Sequence, residues 1–197
     1  GERAPVALVA DPDQDLWHRG SKFPAGLPVF PLRTNCRNTS AIAEFLGTLT
    51  GAAPRVSPWT VRGEEPKVHR WRNADDEREK AGAVVKRLLL DDGLGLDRVA
   101  VVGMRRLEKS CLAGKAELAG FPVSPIGDDG KAGAPGALRY ATPHRFKGLE
   151  ADVVLLLDVD GSPWSLEPRN LYVAASRARL RLHVFVKEGV VVPGGGA

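Results

Sequence analysis

Four short polar segments hold the residues best suited to chemistry in this 197-residue chain. Thr142, His144, Lys147 and Glu150 lie in ATPHRFKGLEADVVLLL, a polar hinge with an apolar stretch on each side. Asp11, Asp13 and Gln14 follow the apolar run VALVA, and Arg33, Asn35 and Arg37 follow LPVFPL. Ser176 and Arg177 lie in LYVAASRARLRLHVF, where Arg177, Arg179 and Arg181 alternate with apolar positions. Each segment adjoins a strand-like run, and open α/β sheets bind ligands at strand ends. The four are therefore expected to converge on one cleft. An arginine between a helix and a buried strand lies at a domain edge, within reach of a ligand held by another domain. The bland alternative makes Lys147-Gly148 an ordinary helix C-cap and His144 a surface histidine.

The elements that must position these residues read as alternating strands and helices. Residues 6–10 and 27–32 are short strands, the second suited by its prolines to an edge. A helix capped by Asn38 or Thr39 runs to about Leu49, with Ile42, Phe45, Leu46 and Leu49 as its apolar stripe. Residues 50–66 form a loop, and 67–72 alternate as a short strand. The clearest helix spans Asp75 to Leu90, acidic in its first turn, burying Ala81, Val84, Val85, Leu88 and Leu89. Strand 98–104 precedes a helix from Leu107 to about Ala119. Strand 121–126, a turn-rich loop at 127–136, and strands 138–142 and 152–159 follow. The last of these is apolar throughout, as for a central parallel strand covered on both faces. A helix at 169–178, strand 180–186 and a tail complete an α/β, doubly wound chain.

Composition narrows the function classes. Twenty-eight Lys+Arg against 24 Asp+Glu give a net charge of +4, a weak lean toward phosphate-bearing partners. Cys36 and Cys111 have no ligand spacing around them and read as reduced thiols. No run approaches the roughly 20 apolar residues of a membrane span, and no signal peptide precedes the first strand. A soluble, cytoplasmic protein is expected. No glycine-rich turn follows the first strand, so dinucleotide binding is a poor reading. No G-x-S-x-G is present for a nucleophile elbow. Trp59, Trp71 and Trp164 read as half-buried hydrophobic anchors. A first strand so near the terminus suggests a chain that starts mid-protein.

Taken together the segments resemble the C-terminal motor part of superfamily 1 helicases of the UvrD/Rep type. VADPDQDLW resembles the third helicase motif, LRTNCRNTSAIAEFL the fourth, ATPHRFKGLEADVV the fifth and NLYVAASRARLRLHVF the sixth. They occur in family order, and TxHxxKGLE before an apolar strand is highly specific. The resemblance implies a second RecA-like domain at 23–190. Residues 1–22 would be a lead-in from the first domain, and 191–197 a flexible tail. Only about 100 residues separate Arg37 from Thr142, too few for the large inserted accessory domain of UvrD-type enzymes.

The resemblance also implies roles. Arg37 and Arg177 would reach the β- and γ-phosphates of ATP, neutralising charge on the transferring phosphoryl group as an arginine finger does. Gln14 would sense the γ-phosphate, and Glu150 would accept from the ribose hydroxyl. Thr142 and His144 would face single-stranded nucleic acid, with Arg105 and Lys147 as phosphate or structural contacts. Trp17 would stack a base, although DLWHRG is shorter than the family's usual stretch after this motif.

No G-x-x-x-x-G-K-[ST] occurs in the sequence, so no loop cradles phosphates and no hydroxyl holds magnesium. Asp75-Asp76-Glu77-Arg78 opens an amphipathic helix and is not the acidic box that follows an apolar strand. ATP and Mg2+ are thus expected only with a first RecA-like domain of the same protein. The chain alone would be inactive as an ATPase. Its expected partner is single-stranded or partly duplex DNA, with RNA the other nucleic acid these residues allow, and a DNA-repair setting follows the family. The alternative is a non-catalytic helicase-like module that binds nucleic acid or protein.

Overall fold

The computed structural model describes residues 28, 34–51, 55–127 and 133–192. The strands expected at 6–10 and 27–32, the lead-in at 1–22, Gln14 and Trp17 lie outside the described residues, as does most of the tail.

The described elements, in order, are α1 (Ser40–Thr50), β1 (Lys67–Trp71), α2 (Ala74–Lys86), β2 (Val99–Gly103), β3 (Glu117–Leu118), β4 (Phe121–Pro125) and β5 (Leu138–Ala141). Then come α3 (Pro143–Phe146), β6 (Ala151–Val159), α4 (Pro163–Leu166), α5 (Pro168–Ala175) and β7 (Ala178–Lys187). The strands form one sheet ordered β1-β7-β6-β2-β5-β4-β3. Every neighbouring pair is parallel except β3–β4. This mostly parallel sheet with helices on both faces is a RecA-like, doubly wound fold.

Alternation along the strands divides the core in two. Ala100, Val102, Val154, Leu156, Leu182 and Val184 face α1 and α5, burying Ile42, Leu46, Leu171 and Ala174. Val99, Val101, Val153, Leu155, Leu157 and Phe185 face α2, burying Ala81, Val85 and Leu88. Strands buried on both faces have no polar face to alternate with, which is why 152–159 is apolar throughout.

Three elements differ from the sequence reading. Residues 107–119 do not form a helix: a 3-10 turn at Leu107–Lys109 gives way to turns and then β3. The Ser110 hydroxyl donates to the Leu107 carbonyl and accepts from the Leu112 amide. The Cys111 amide donates to Asp158 Oδ1 at 2.9 Å. Side chains thus take the amides a helix would need. The long helix at 75–90 keeps its extent but changes its winding, α2 passing without a break into a π-helical turn at Arg87–Asp91. The helix at 169–178 stops at Ala175 and β7 begins at Ala178, so Arg179 and Arg181 belong to a strand.

The loop before β1 is built onto α1. The amides of Ser40 and Ala41 donate to the carbonyls of Val61 and Arg62, at 3.0 and 3.1 Å. A Cβ at Gly63, whose φ is +71°, would stand 2.5 Å from Thr39 Cγ2. Only glycine suits that approach.

Candidate functional site

A parallel sheet separates strand starts from strand ends, and it separates the candidate residues in the same way. Glu150 precedes β6 and Arg177 precedes β7, so both lie at the amino edge. Thr142 follows β5 and Arg105 lies just past β2, at the carboxyl edge. The described candidates therefore lie at two edges and not around one cleft, because a crossover must carry the chain from one edge back to the other.

At the amino edge, Asn35 makes a turn whose Oδ1 accepts from the amides of Arg37 and Asn38, at 3.0 and 3.1 Å. The buried Asn38 then donates through Nδ2 to the carbonyls of Ser176 and Ala178. The Thr39 amide donates to the Arg179 carbonyl at 3.2 Å, and the Ala151 amide to the Arg177 carbonyl at 3.1 Å. These bonds bring Arg37, Glu150 and Arg177 to one place. Arg37 Nε lies 3.3 Å from Glu150 Oε2, both side chains half-exposed. The network continues from Glu150 to Arg179 at 3.8 Å, from Arg179 to Asp152 at 3.5 Å, and from Asp152 to Arg98 at 2.5 Å. Such exposed pairs add little stability, but they hold the guanidinium groups in place.

Arg177 differs from the side chain expected to extend from the domain. It is 2% exposed. Its Nε donates to the Val173 carbonyl at 3.1 Å, and its Nη2 to the Ser176 hydroxyl at 3.0 Å. The short α5 leaves those end groups without helical partners, and the arginine takes them.

At the carboxyl edge a groove of about 1010 Å³ is lined by Thr142, His144, Arg145, Arg106, Lys115 and Trp164, among others. The His144 ring stacks on Trp164 with centroids 5.1 Å apart and planes at 24°. Trp164 Nε1 donates to the Met104 carbonyl at 2.9 Å, while the ring stays 43% exposed. Burial, then the Lys147 cation, holds the His144 pKa below its ordinary value. Arg105 is paired with Asp160, and Lys147 is exposed at the C-cap of α3.

The three tryptophans expected to be half-buried part company. Trp71 is 7% exposed and in the core, Trp59 is 91% exposed on the loop, and Trp164 flanks the groove. Sequence reasoning missed Trp164 and Asn38. The Ser162-Pro163 helix start just ahead of Trp164 was the available signal: the Ser162 hydroxyl accepts from the Ser165 amide, which fixes the residue at the end of β6.

Residues 138–185, which carry β5 through most of β7, match the UvrD-like helicase C-terminal domain family. The fold resembles the C-terminal domain of a possible DNA helicase from Lactobacillus plantarum WCFS1. That likeness has a TM-score of 0.57 and 24% identity, covering 81% of this chain and 91% of that one. Arterivirus nonstructural protein 10, a helicase, aligns with a TM-score of 0.39 and 18% identity, over 84% of this chain and 30% of that one. No curated protein sequence matches the chain.

Proposed function

We propose that this UvrD-like chain is the second RecA-like half of an ATP-dependent DNA helicase or translocase. Residues 23–190 form that domain, and a P-loop domain of the same protein supplies the phosphate cradle and magnesium. Arg37 and Glu150 then line the nucleotide from this side, and Arg177 is the finger. The observation that carries this reading is the Arg37–Glu150 ion pair at the same sheet edge as the Arg177 backbone, with Asn38 tying α1 to the residues on either side of Arg177. Residues distant in the chain are gathered there by buried side-chain and backbone bonds that also seat the start of α1 against β7. The carboxyl-edge groove, with Thr142, His144 and a stacked ring pair, suits a single strand of DNA, since stacking on an aromatic face tolerates any base. Gln14 and Trp17 are proposed for the γ-phosphate and for base stacking on the family resemblance alone, and Arg105 and Lys147 as strand contacts.

The test is Arg177→Lys in the motor that pairs this domain with its P-loop domain. Lysine keeps the charge but loses the fork, and an arginine finger contributes about 10³-fold or more to turnover. ATP hydrolysis should fall by that order while the circular dichroism spectrum and nucleotide binding persist. Near-normal turnover would reject the catalytic role.

One observation favours a second reading, a non-catalytic helicase-like module. The Arg177 guanidinium is buried and bonded to its own helix end. That reading expects the lysine variant to leave nucleic-acid or protein binding unchanged and to have no turnover to lose.

A further inference from the structure

Beneath the carboxyl edge, three ionisable side chains meet in the interior. Glu77 on α2, Cys111 in the segment after β2, and Asp158 at the end of β6 are 1%, 4% and 4% exposed. One ligand atom of each lies within 4.8 Å of those of the other two. Their backbone partners hold them in a fixed pose. Glu77 Oε1 accepts from the Asp158 amide at 2.7 Å, and Asp158 Oδ1 accepts from the Cys111 amide at 2.9 Å. The Asp158 backbone sits at φ +63°, within the register irregularity of β6 between Leu156 and Val159.

The inward-held oxygen Asp158 Oδ2 is buried without a hydrogen-bond partner. The nearby Tyr140 hydroxyl gives its proton to the Arg105 carbonyl instead, at 2.7 Å. An orphaned carboxylate oxygen inside a protein costs stability unless something satisfies it. Burial, and for Glu77 the neighbouring Asp158 charge, push the two carboxyl pKa values up to about 8 and about 6. The adjacent cations are engaged elsewhere: Arg105 with Asp160, and Arg78 with Asp75 and the Cys111 carbonyl. A cavity of about 370 Å³ lies against the cluster, bordered by Trp71, Lys109 and Asp160.

We propose that Glu77, Cys111 and Asp158 form a site for a divalent transition-metal ion of the zinc class. The ligand set selects the metal. A thiolate disfavours magnesium and calcium, whereas two carboxylate oxygens and one sulfur suit Zn2+. Each carboxylate spends one oxygen on a backbone amide and keeps the other for the ion, the usual way outer partners orient metal ligands. Three protein ligands leave a fourth position for water on the cavity side. Binding displaces the thiol proton and any carboxyl proton into solvent. The ion ties α2 to the end of β6 and to the 110–112 turn beneath the carboxyl edge. This proposal does not depend on the helicase reading.

The test uses the full chain in a Cys36→Ser background, so that Cys111 is the one remaining cysteine of the two. After chelation and dialysis against Zn2+ alone, one equivalent should stay bound and raise the melting temperature. Asp158→Asn and Glu77→Gln should weaken binding about tenfold or more. Co2+ in the unmutated site should show a thiolate-to-metal charge-transfer band, a readout that needs no variant at the site to fold. Absence of a stoichiometric ion, or Co2+ binding without that band, would overturn the site. Zn2+ retention by both carboxylate variants would do the same.

Discussion

Trp164 and His144 show how much a single residue pair can set. The indole is fixed at its nitrogen by the Met104 carbonyl and at its face by the imidazole. Under the proposed function, little side-chain entropy is then left to lose when a base arrives. Trp164→Ala should weaken oligonucleotide binding by about 1–3 kcal/mol with little sequence dependence, measured by fluorescence anisotropy. Trp164→Phe should restore most of it. An unchanged affinity for the alanine variant would remove the groove from the proposed function. The residues of this site were unevenly legible in the sequence. The spacing of Thr142, His144 and Glu150 marked the hinge, and Arg37 and Arg177 stood beside strands. Trp164 was hidden because a tryptophan's exposure depends on what covers it, which no local pattern encodes.

Among the elements, β1 and its partner β7 carry a pH dependence. His183 on β7 is 1% exposed, and its Nδ1 lies 3.0 Å from His69 Nε2 on β1. Both rings stack with each other, and His69 also stacks on Phe185. Burial, then the neighbouring His69 and Arg87, hold the His183 pKa down to about 3. Burial also lowers that of His69. The unfolded chain, with its imidazole near 6.5, binds protons first as pH falls. This contribution is therefore intact above about pH 6.5 and is lost progressively toward pH 3. Between pH 7 and pH 5 it amounts to about 2 kcal/mol for His183. Urea midpoints across that range should fall less steeply in His183→Gln than in the parent. Equal slopes would contradict the assignment.

Elsewhere the elements record what a one-dimensional pattern can miss. Strands 99–103 and 151–159 were legible from their apolar runs. The false helix at 107–119 came from good helix formers, overruled by Ser110 locally and by Asp158 from a distant strand. Gly103 shows a similar long-range demand. A Cβ there would overlap the Tyr140 hydroxyl and stand 3.0 Å from Asp158 Oδ2. Gly103→Ala should cost about 1–3 kcal/mol as an overpacked core position, read from the denaturation midpoint.

For the molecule as a whole, the segment from Thr142 to Glu150 spans the sheet. It leaves the carboxyl edge after β5 and reaches the amino edge before β6. Under the proposed function, a strand held at one edge and a nucleotide held at the other share this one connection. Gly148 turns it, at φ +88° with open space around its missing Cβ. Gly148→Ala therefore meets only backbone strain, about 1–3 kcal/mol. It should lower DNA stimulation of ATP hydrolysis several-fold while leaving unstimulated turnover near normal. Full stimulation would show that the two edges communicate by another route. The doubly wound fold was legible from alternating elements. The division into two edges was not, because it follows from strand direction in the assembled sheet.

The start of α1 has a consequence for how this domain can hold a phosphate. The amides of residues 37 to 41 are all engaged, by Asn35 Oδ1, by the Arg179 carbonyl, and by the carbonyls of Val61 and Arg62. A helix N-terminus is ordinarily a ready anion seat, but here it is already filled by the protein itself. Under the proposed function, an anion arriving at this edge is met by the guanidinium groups of side chains instead. A grasp made of side chains could then open and close with each turnover, which a rigid backbone cradle cannot do.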